Sequence, residues 1–185
     1  MLLFIICLSV LAAVSLFIIS LYNGLVRNRN EVKNAWNAID VQLKRRHDLI
    51  PNIIESVKGY ASHERQTLDE VIKARQMAST SSGSIEERAK AENALSASLR
   101  SLFAVAEAYP NLKANESFIA LQTELAATEN KIGFARQYYN DNAMRYKNRI
   151  EIFPGNIIAG MFNFQVEPFF QLEDSKEREA PQVKF

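Results

Sequence analysis

The chain of 185 residues is poor in the side chains from which catalytic and metal centres are made, with one Cys, two His and one Trp. A single Cys excludes a disulfide framework and a Cys-built zinc site. Two His leave little from which to assemble metal or acid/base chemistry, and the His63-Glu64 pair lacks the second His of a zinc-protease helix, because Thr67 stands where it would be. A Gly-rich phosphate loop, a nucleophile elbow and the Glu-x-x-His pairs of di-iron bundles are all missing. The 22 Lys and Arg offset the 21 Asp and Glu, and a net charge of +1 excludes a nucleic-acid binder that works by bulk charge. No stretch alternates at strand period. The expectation is a helical protein without catalytic residues, metal or cofactor.

Charge is also missing locally: no charged side chain precedes Arg27. Residues 2–22, opened by Leu2 and closed by Tyr22, contain only Ser9, Ser15 and Ser20 as clearly polar side chains. As a helix rising about 1.5 Å per residue the run covers about 30 Å, the hydrocarbon thickness of a bilayer. Each Ser hydroxyl can bond to a carbonyl one turn earlier, and Tyr22 suits the headgroup level. A cleaved signal peptide would need a basic start, a shorter apolar run and a small-residue cleavage site, none of which this sequence offers. An uncleaved single span is therefore expected. Arg27, Arg29 and Lys33 follow it closely, and the excess of basic residues on that flank places the rest of the chain in the cytoplasm.

Beyond the span, Val32, Trp36, Ile39, Leu43, Ile50, Ile53, Val57 and Tyr60 recur at helical spacing, with His47 filling the step between Leu43 and Ile50. His47 reads as a packed core residue rather than a ligand, and Lys44-Arg45-Arg46 as a solvated face, with anionic lipid as the alternative contact. Pro51 lacks an amide and crowds the His47 carbonyl, so a kink near residues 48–51 is expected. A second segment over residues 63–77 sets Leu68, Val71, Ile72 and the stem of Arg75 on one face, and the small polar residues 79–83 form a flexible connection. Ser84 and Glu87 match a capping box for a third segment, residues 85–109, with Ala91, Leu95, Ser98, Leu102, Val105 and Tyr109 in its seam until Pro110 stops it. A fourth, about residues 115–152, carries Phe118, Leu121, Leu125, Thr128, Ile132, Ala135, Tyr139, Asn142, Tyr146 and Arg149.

Four amphipathic segments with short connections predict an all-α fold: an N-terminal transmembrane helix followed by an antiparallel four-helix bundle, the first bundle helix continuous with the span. Residues 1–26 are expected to be the anchor, 27–170 the bundle with a short aromatic C-terminal segment, and 171–185 a disordered tail. Thr128, Asn142 and His47 are read as fixing register, and Glu107, Glu116, Glu124 and Glu129 as ordinary solvated carboxylates. After Phe153-Pro154-Gly155, the residues Ile157, Ile158, Met161, Phe162, Phe164, Phe169 and Phe170 concentrate apolar surface, either to close one end of the bundle or to dock a partner or membrane.

Many separate motifs then converge. Tyr22-Asn23-Gly24-Leu25-Val26, the run VKNAWNA from Val32 to Ala38, Asp40-Val41-Gln42-Leu43-Lys44-Arg45-Arg46, Leu49-Ile50-Pro51-Asn52, Tyr109-Pro110-Asn111-Leu112-Lys113-Ala114-Asn115, Glu129-Asn130-Lys131-Ile132, Ala135-Arg136 with Tyr139-Asn140, and Phe153-Pro154 leading to Ile157-Ile158-Ala159 together resemble the bacterial LemA family over nearly the whole chain. The resemblance implies a four-helix protein anchored in the bacterial cytoplasmic membrane, without established enzymatic activity. Members are often encoded near a membrane metalloprotease, which suggests a part in envelope quality control. The chain lacks a Cys just before Tyr22-Asn23, so it departs from relatives that carry a lipoprotein signal.

The favoured expectation is a membrane-tethered scaffold or adaptor, held by lipid along residues 2–22 and meeting other membrane proteins, such as a metalloprotease, or further copies of itself, and no nucleic acid. Candidate partner contacts are Lys113, Asn115, Asn130, Lys131, Arg136, Tyr139, Asn140, Phe162 and Phe164. Two alternatives stand beside it: an enzyme using His47 or His63 with a neighbouring Glu, and a membrane-organising element that binds lipid through its basic juxtamembrane residues and aromatic C-terminal stretch.

Overall fold

A computed structural model of the chain describes residues 1–61, 63–81 and 83–170. They form six helices: α1 Leu2–Lys58, α2 Arg65–Thr80, α3 Ile85–Ala106, α4 Pro110–Lys113, α5 Glu116–Glu151 and α6 Gly155–Met161. Among the described residues there is no strand, and the all-α expectation holds. The tail expected to be disordered, residues 171–185, lies outside the described residues, as does Ser82 of the serine-rich connection.

The apolar run passes without interruption into the amphipathic seam, so that α1 is one helix of 57 residues. Its N-terminal stretch is long and apolar enough to cross a membrane, and none of that stretch is buried in the fold. Ser9 and Ser15 donate to the carbonyls of Ile6 and Leu11, both at 2.9 Å, which hides their hydroxyls against the helix backbone. Pro51 lies inside α1, and the helix continues to Lys58.

Two boundaries shift from expectation for identifiable reasons. α3 ends at Ala106 rather than near Tyr109, because Tyr109 leaves the helical region ahead of proline, at φ −117° and ψ 89°. Pro110 then does more than stop a helix: it occupies the first turn of α4, where its missing amide leaves no bond unmade. The capping box is present, with the Glu87 amide donating to Ser84 Oγ and the Ser84 amide to the Glu87 carboxylate.

The chain divides into two compact units. The unit Val41–Gly133 packs Ile50, Ile53 and Val57 of α1, Leu68 and Val71 of α2, Leu95 and Leu102 of α3, Leu112 of α4, and Phe118 and Leu125 of α5 into one apolar core. Ile72, expected in the seam, is exposed, and Ala78 takes the buried place on α2. The other unit, Met1–Asp40 with Phe134–Phe169, buries Leu25, Val32, Ala35 and Ile39 of α1, Tyr139, Ala143 and Tyr146 of α5, and Ile158 and Ala159 of α6. Trp36 meets Tyr139 edge-on, ring centres 5.5 Å apart. α6, which the sequence announced only as an apolar run, folds tightly back on the end of α5: a Cβ at Gly155 would stand 2.3 Å from the Arg149 carbonyl oxygen, so only glycine fits.

Candidate functional site

Within the Val41–Gly133 unit, α1, α3 and α5 converge on a buried ionic cluster. The solvated-face expectation for Arg46 is overturned: its side chain is fully buried. The spacing explains why, since Arg46 stands three residues after Leu43 and four before Ile50 and so occupies the seam itself. Its guanidinium donates to the Glu92 carboxylate of α3, to Ser96 Oγ at 2.8 Å, and to Glu129 of α5 at 2.6 Å. Glu92 is fully buried too. Burial alone would raise its pKa, but the His47 imidazole, with Nε2 at 3.0 Å from Oε1, and the Arg46 guanidinium outweigh that, and the net direction is down. The carboxylate is ionised in the interior because it is paired there. Glu124 and Glu129, read from sequence as ordinary solvated groups, pair with Arg45 and Arg46.

His47 therefore takes the edge of this cluster rather than the seam, with 13% of its side chain exposed. Its carbonyl has a second role. Proline at 51 removes the amide that would bond the carbonyl of residue 47, and the Arg75 Nε of α2 donates to that oxygen instead, at 2.8 Å. A guanidinium from the neighbouring helix thus replaces the missing helical hydrogen bond. α1 stays unbroken through Pro51, and α2 is tied to it by a charged donor.

Chemically, the buried Arg46–Glu92 pair neutralises itself. Glu92 and Arg46 point their charges at each other, away from solvent, and neither reaches a substrate without opening of the core. His63, the other histidine, is exposed. Among the described residues, no group of three or more His, Cys, Asp and Glu is placed to hold a metal ion.

The sequence-predicted contact residues divide between surface and interior. Lys113, Asn130 and Lys131 are exposed, Lys113 in an ion pair with Glu107. Asn115 caps α5, its Oδ1 accepting the Phe118 amide at 3.0 Å, while its Nδ2 donates to the Tyr60 hydroxyl at 3.1 Å. In the other unit, Tyr139 is buried and donates its hydroxyl to the Pro168 carbonyl at 2.7 Å. Arg136 is also buried, and Asn140 is half-buried. Of the nine residues, Lys113, Asn115, Asn130 and Lys131 belong to one unit, and the remaining five to the other.

Phe162 and Phe164 belong to an aromatic collar around α1. The ring of Tyr22, last residue of the apolar run, meets Phe162 at 4.8 Å and Phe164 at 5.7 Å between centres. The Arg29 guanidinium lies over Phe164 at 5.1 Å, a cation–π distance. Phe164 is buried by these neighbours, whereas Phe162 remains half exposed. Close by, burial pushes the Tyr146 hydroxyl above its ordinary pKa, with Arg29 opposing and Glu167 reinforcing the shift.

Comparison with known proteins agrees with the motif pattern: the LemA family model matches residues 35–185. The chain belongs to the LemA family. It is also similar to Protein LemA of Metamycoplasma hominis, at 26% identity over 152 residues that cover 82% of this chain and 69% of that protein. The family match takes in Arg46, His47, Glu92 and Glu129, and Phe153, Phe162 and Phe164 on either side of α6, while the apolar run of α1 precedes it.

The cluster was the main thing that sequence reading missed, although a signal for it existed. Arg46 on α1 and Glu92 on α3 are charges of opposite sign at seam positions, Glu92 three residues after Ala89 and three before Leu95. A charge in a seam is either an error in the assigned face or half of a buried pair. Finding one on each of two helices favours the pair.

Proposed function

We propose that this LemA-family protein is a membrane-anchored helical scaffold, non-enzymatic, in the bacterial cytoplasmic membrane with its helical body on the cytoplasmic side. The observation that carries the reading is α1: a wholly unburied apolar stretch continues, as one helix, into a body with an ordered core. The best-formed polar constellation in that body spends its charges on itself, which suits a structural role better than turnover. Tethering raises the local concentration of the body near other membrane proteins, so weak contacts suffice for assembly. The exposed residues Lys113, Asn130 and Lys131 are the contacts we assign to partners, among them further copies of this chain or a membrane protease of the envelope quality-control machinery.

Cross-linking and mass spectrometry of the full-length protein in its native membrane tests this directly. Reproducible links from Lys113 or Lys131 to other membrane proteins, or between copies, are expected, and their complete absence counts against a scaffold. Protease added to intact cells should leave the body whole; its removal would reverse the assigned side. One observation favours a second reading, the approach of His47 to Glu92 at 3.0 Å. Cells in which His47→Ala and His63→Ala each retain normal LemA-dependent behaviour would retire an enzymatic role for either residue.

A further inference from the structure

The unit Met1–Asp40 with Phe134–Phe169 leaves unusual side chains in the open. Residues 152–166 contain no charged residue. Within them Ile152, Phe153, Ile157, Met161 and Phe162 are all more than half exposed, Phe153 and Met161 at 74% and 72%. Ile158 and Ala159 of α6 are buried, so the exposed residues stand on and beside an anchored helix and not on a loose end. The face is held in place from both sides: by the Gly155 contact with the end of α5, and by Phe164 packed against Tyr22 beneath Arg29.

What covers this face follows from its height along α1. Tyr22 closes the apolar run, and Phe162 touches it ring to ring at 4.8 Å. Phe162 and the neighbouring Met161 therefore lie at the level where the span leaves hydrocarbon. Arg27, exposed, comes about 8 Å further along the helix, at headgroup depth. An apolar face free of charge, fixed beside the exit of a span and followed by exposed basic residues, has the composition of an element lying in the interface of a bilayer. We propose that the exposed face of residues 152–162 is a second membrane contact, seated at the headgroup–acyl boundary of the bilayer that α1 crosses. The inference rests on the anchor reading of α1 and adds to it. The contact covers one side of α1 where it leaves the bilayer, and so leaves the other side to protein neighbours.

The test uses the full-length chain in vesicles of phosphatidylcholine and phosphatidylglycerol. In a Cys7→Ser background, an environment-sensitive fluorophore is attached after Met161→Cys, Phe153→Cys, Leu11→Cys or Ala94→Cys, the last on an exposed site of α3. Nitroxide lipids near the top of the acyl chain should quench the labels at 161 and 153 roughly twofold or more, as interfacial burial requires, and leave position 94 unchanged. Deep nitroxides should quench position 11. If position 11 is quenched while 161 and 153 behave like 94, the second contact is refuted with the anchor intact. If position 11 is not quenched either, the anchor itself fails and the inference falls with it. If 161 is shielded from lipid nitroxide and from aqueous iodide alike, and links to a second copy, the face is a protein interface and the proposal is overturned.

Discussion

The two units of this protein, which share α1 and α5, solve opposite problems. The Val41–Gly133 unit buries ionised groups and surrounds them with Ile, Leu and Val, whereas the unit holding Tyr22 and α6 is built on rings and leaves apolar side chains outside. Charge taken from water must be matched inside, and the buried Arg46 and Glu92 are so matched. Apolar surface left in water must find another cover, and the face around Phe153 and Met161 has none within its own unit.

The sharpest way to break that contrast is to unbalance the buried charges. Arg46→Ala leaves Glu92 ionised and unpaired in the core and should lower stability by about 3–5 kcal/mol, measured by denaturant unfolding of the full chain in mild detergent. The double change Arg46→Met with Glu92→Leu should recover most of that loss, since it removes both charges at similar volume. Acid should act on the same place. Because the Glu92 pKa is lower in the fold than its ordinary 4.5, its stabilisation is complete above that value and disappears as pH falls through the lowered one. Glu92→Gln should flatten this acid limb of the stability profile.

A smaller effect is expected at Pro51. Arg75→Met removes a charged donor from the His47 carbonyl and should destabilise by about 1.5–3 kcal/mol. Pro51→Ala restores the helical amide to that carbonyl, so Arg75→Met should be milder in the Pro51→Ala background. Additive losses would show that the Arg75 bond does not replace the missing amide. The smallest effect belongs to the aromatic side. A double-mutant cycle over Tyr22→Ala and Phe162→Ala should give a coupling of about 0.5–1.5 kcal/mol. Fluorescence of Trp36, the chain's single tryptophan and a member of the same unit, reads it.

Much of the architecture was legible because it rests on period and on local chemistry. The apolar run, the seams through Ile39 and Leu43 and through Ile132 and Tyr139, and the Ser84 cap are written in consecutive residues. The Ser9 and Ser15 hydroxyls of α1 turn back as their neighbours dictate. What was not legible depends on partners distant in sequence. Arg46 looks like its neighbours Lys44 and Arg45 until Glu92 is placed opposite it. Pro51 predicts a defect in α1, but the remedy comes from Arg75 on another helix. Tyr139 and Asn115 are expected contacts for other molecules because they stand in distinctive motifs, and their internal partners could not be read there. Their polar atoms are engaged at home, with Pro168 in one case and with Phe118 and Tyr60 in the other.

The buried salt bridge also fixes how α3 may lie along α1. Leu and Ala tolerate sliding, since one apolar contact resembles the next. If α3 slipped by a single turn, Glu92 would face hydrocarbon and Arg46 would lose its acceptor, so nearby wrong alignments are penalised out of proportion to the distance moved. The pair serves less as glue than as a key cut for one position.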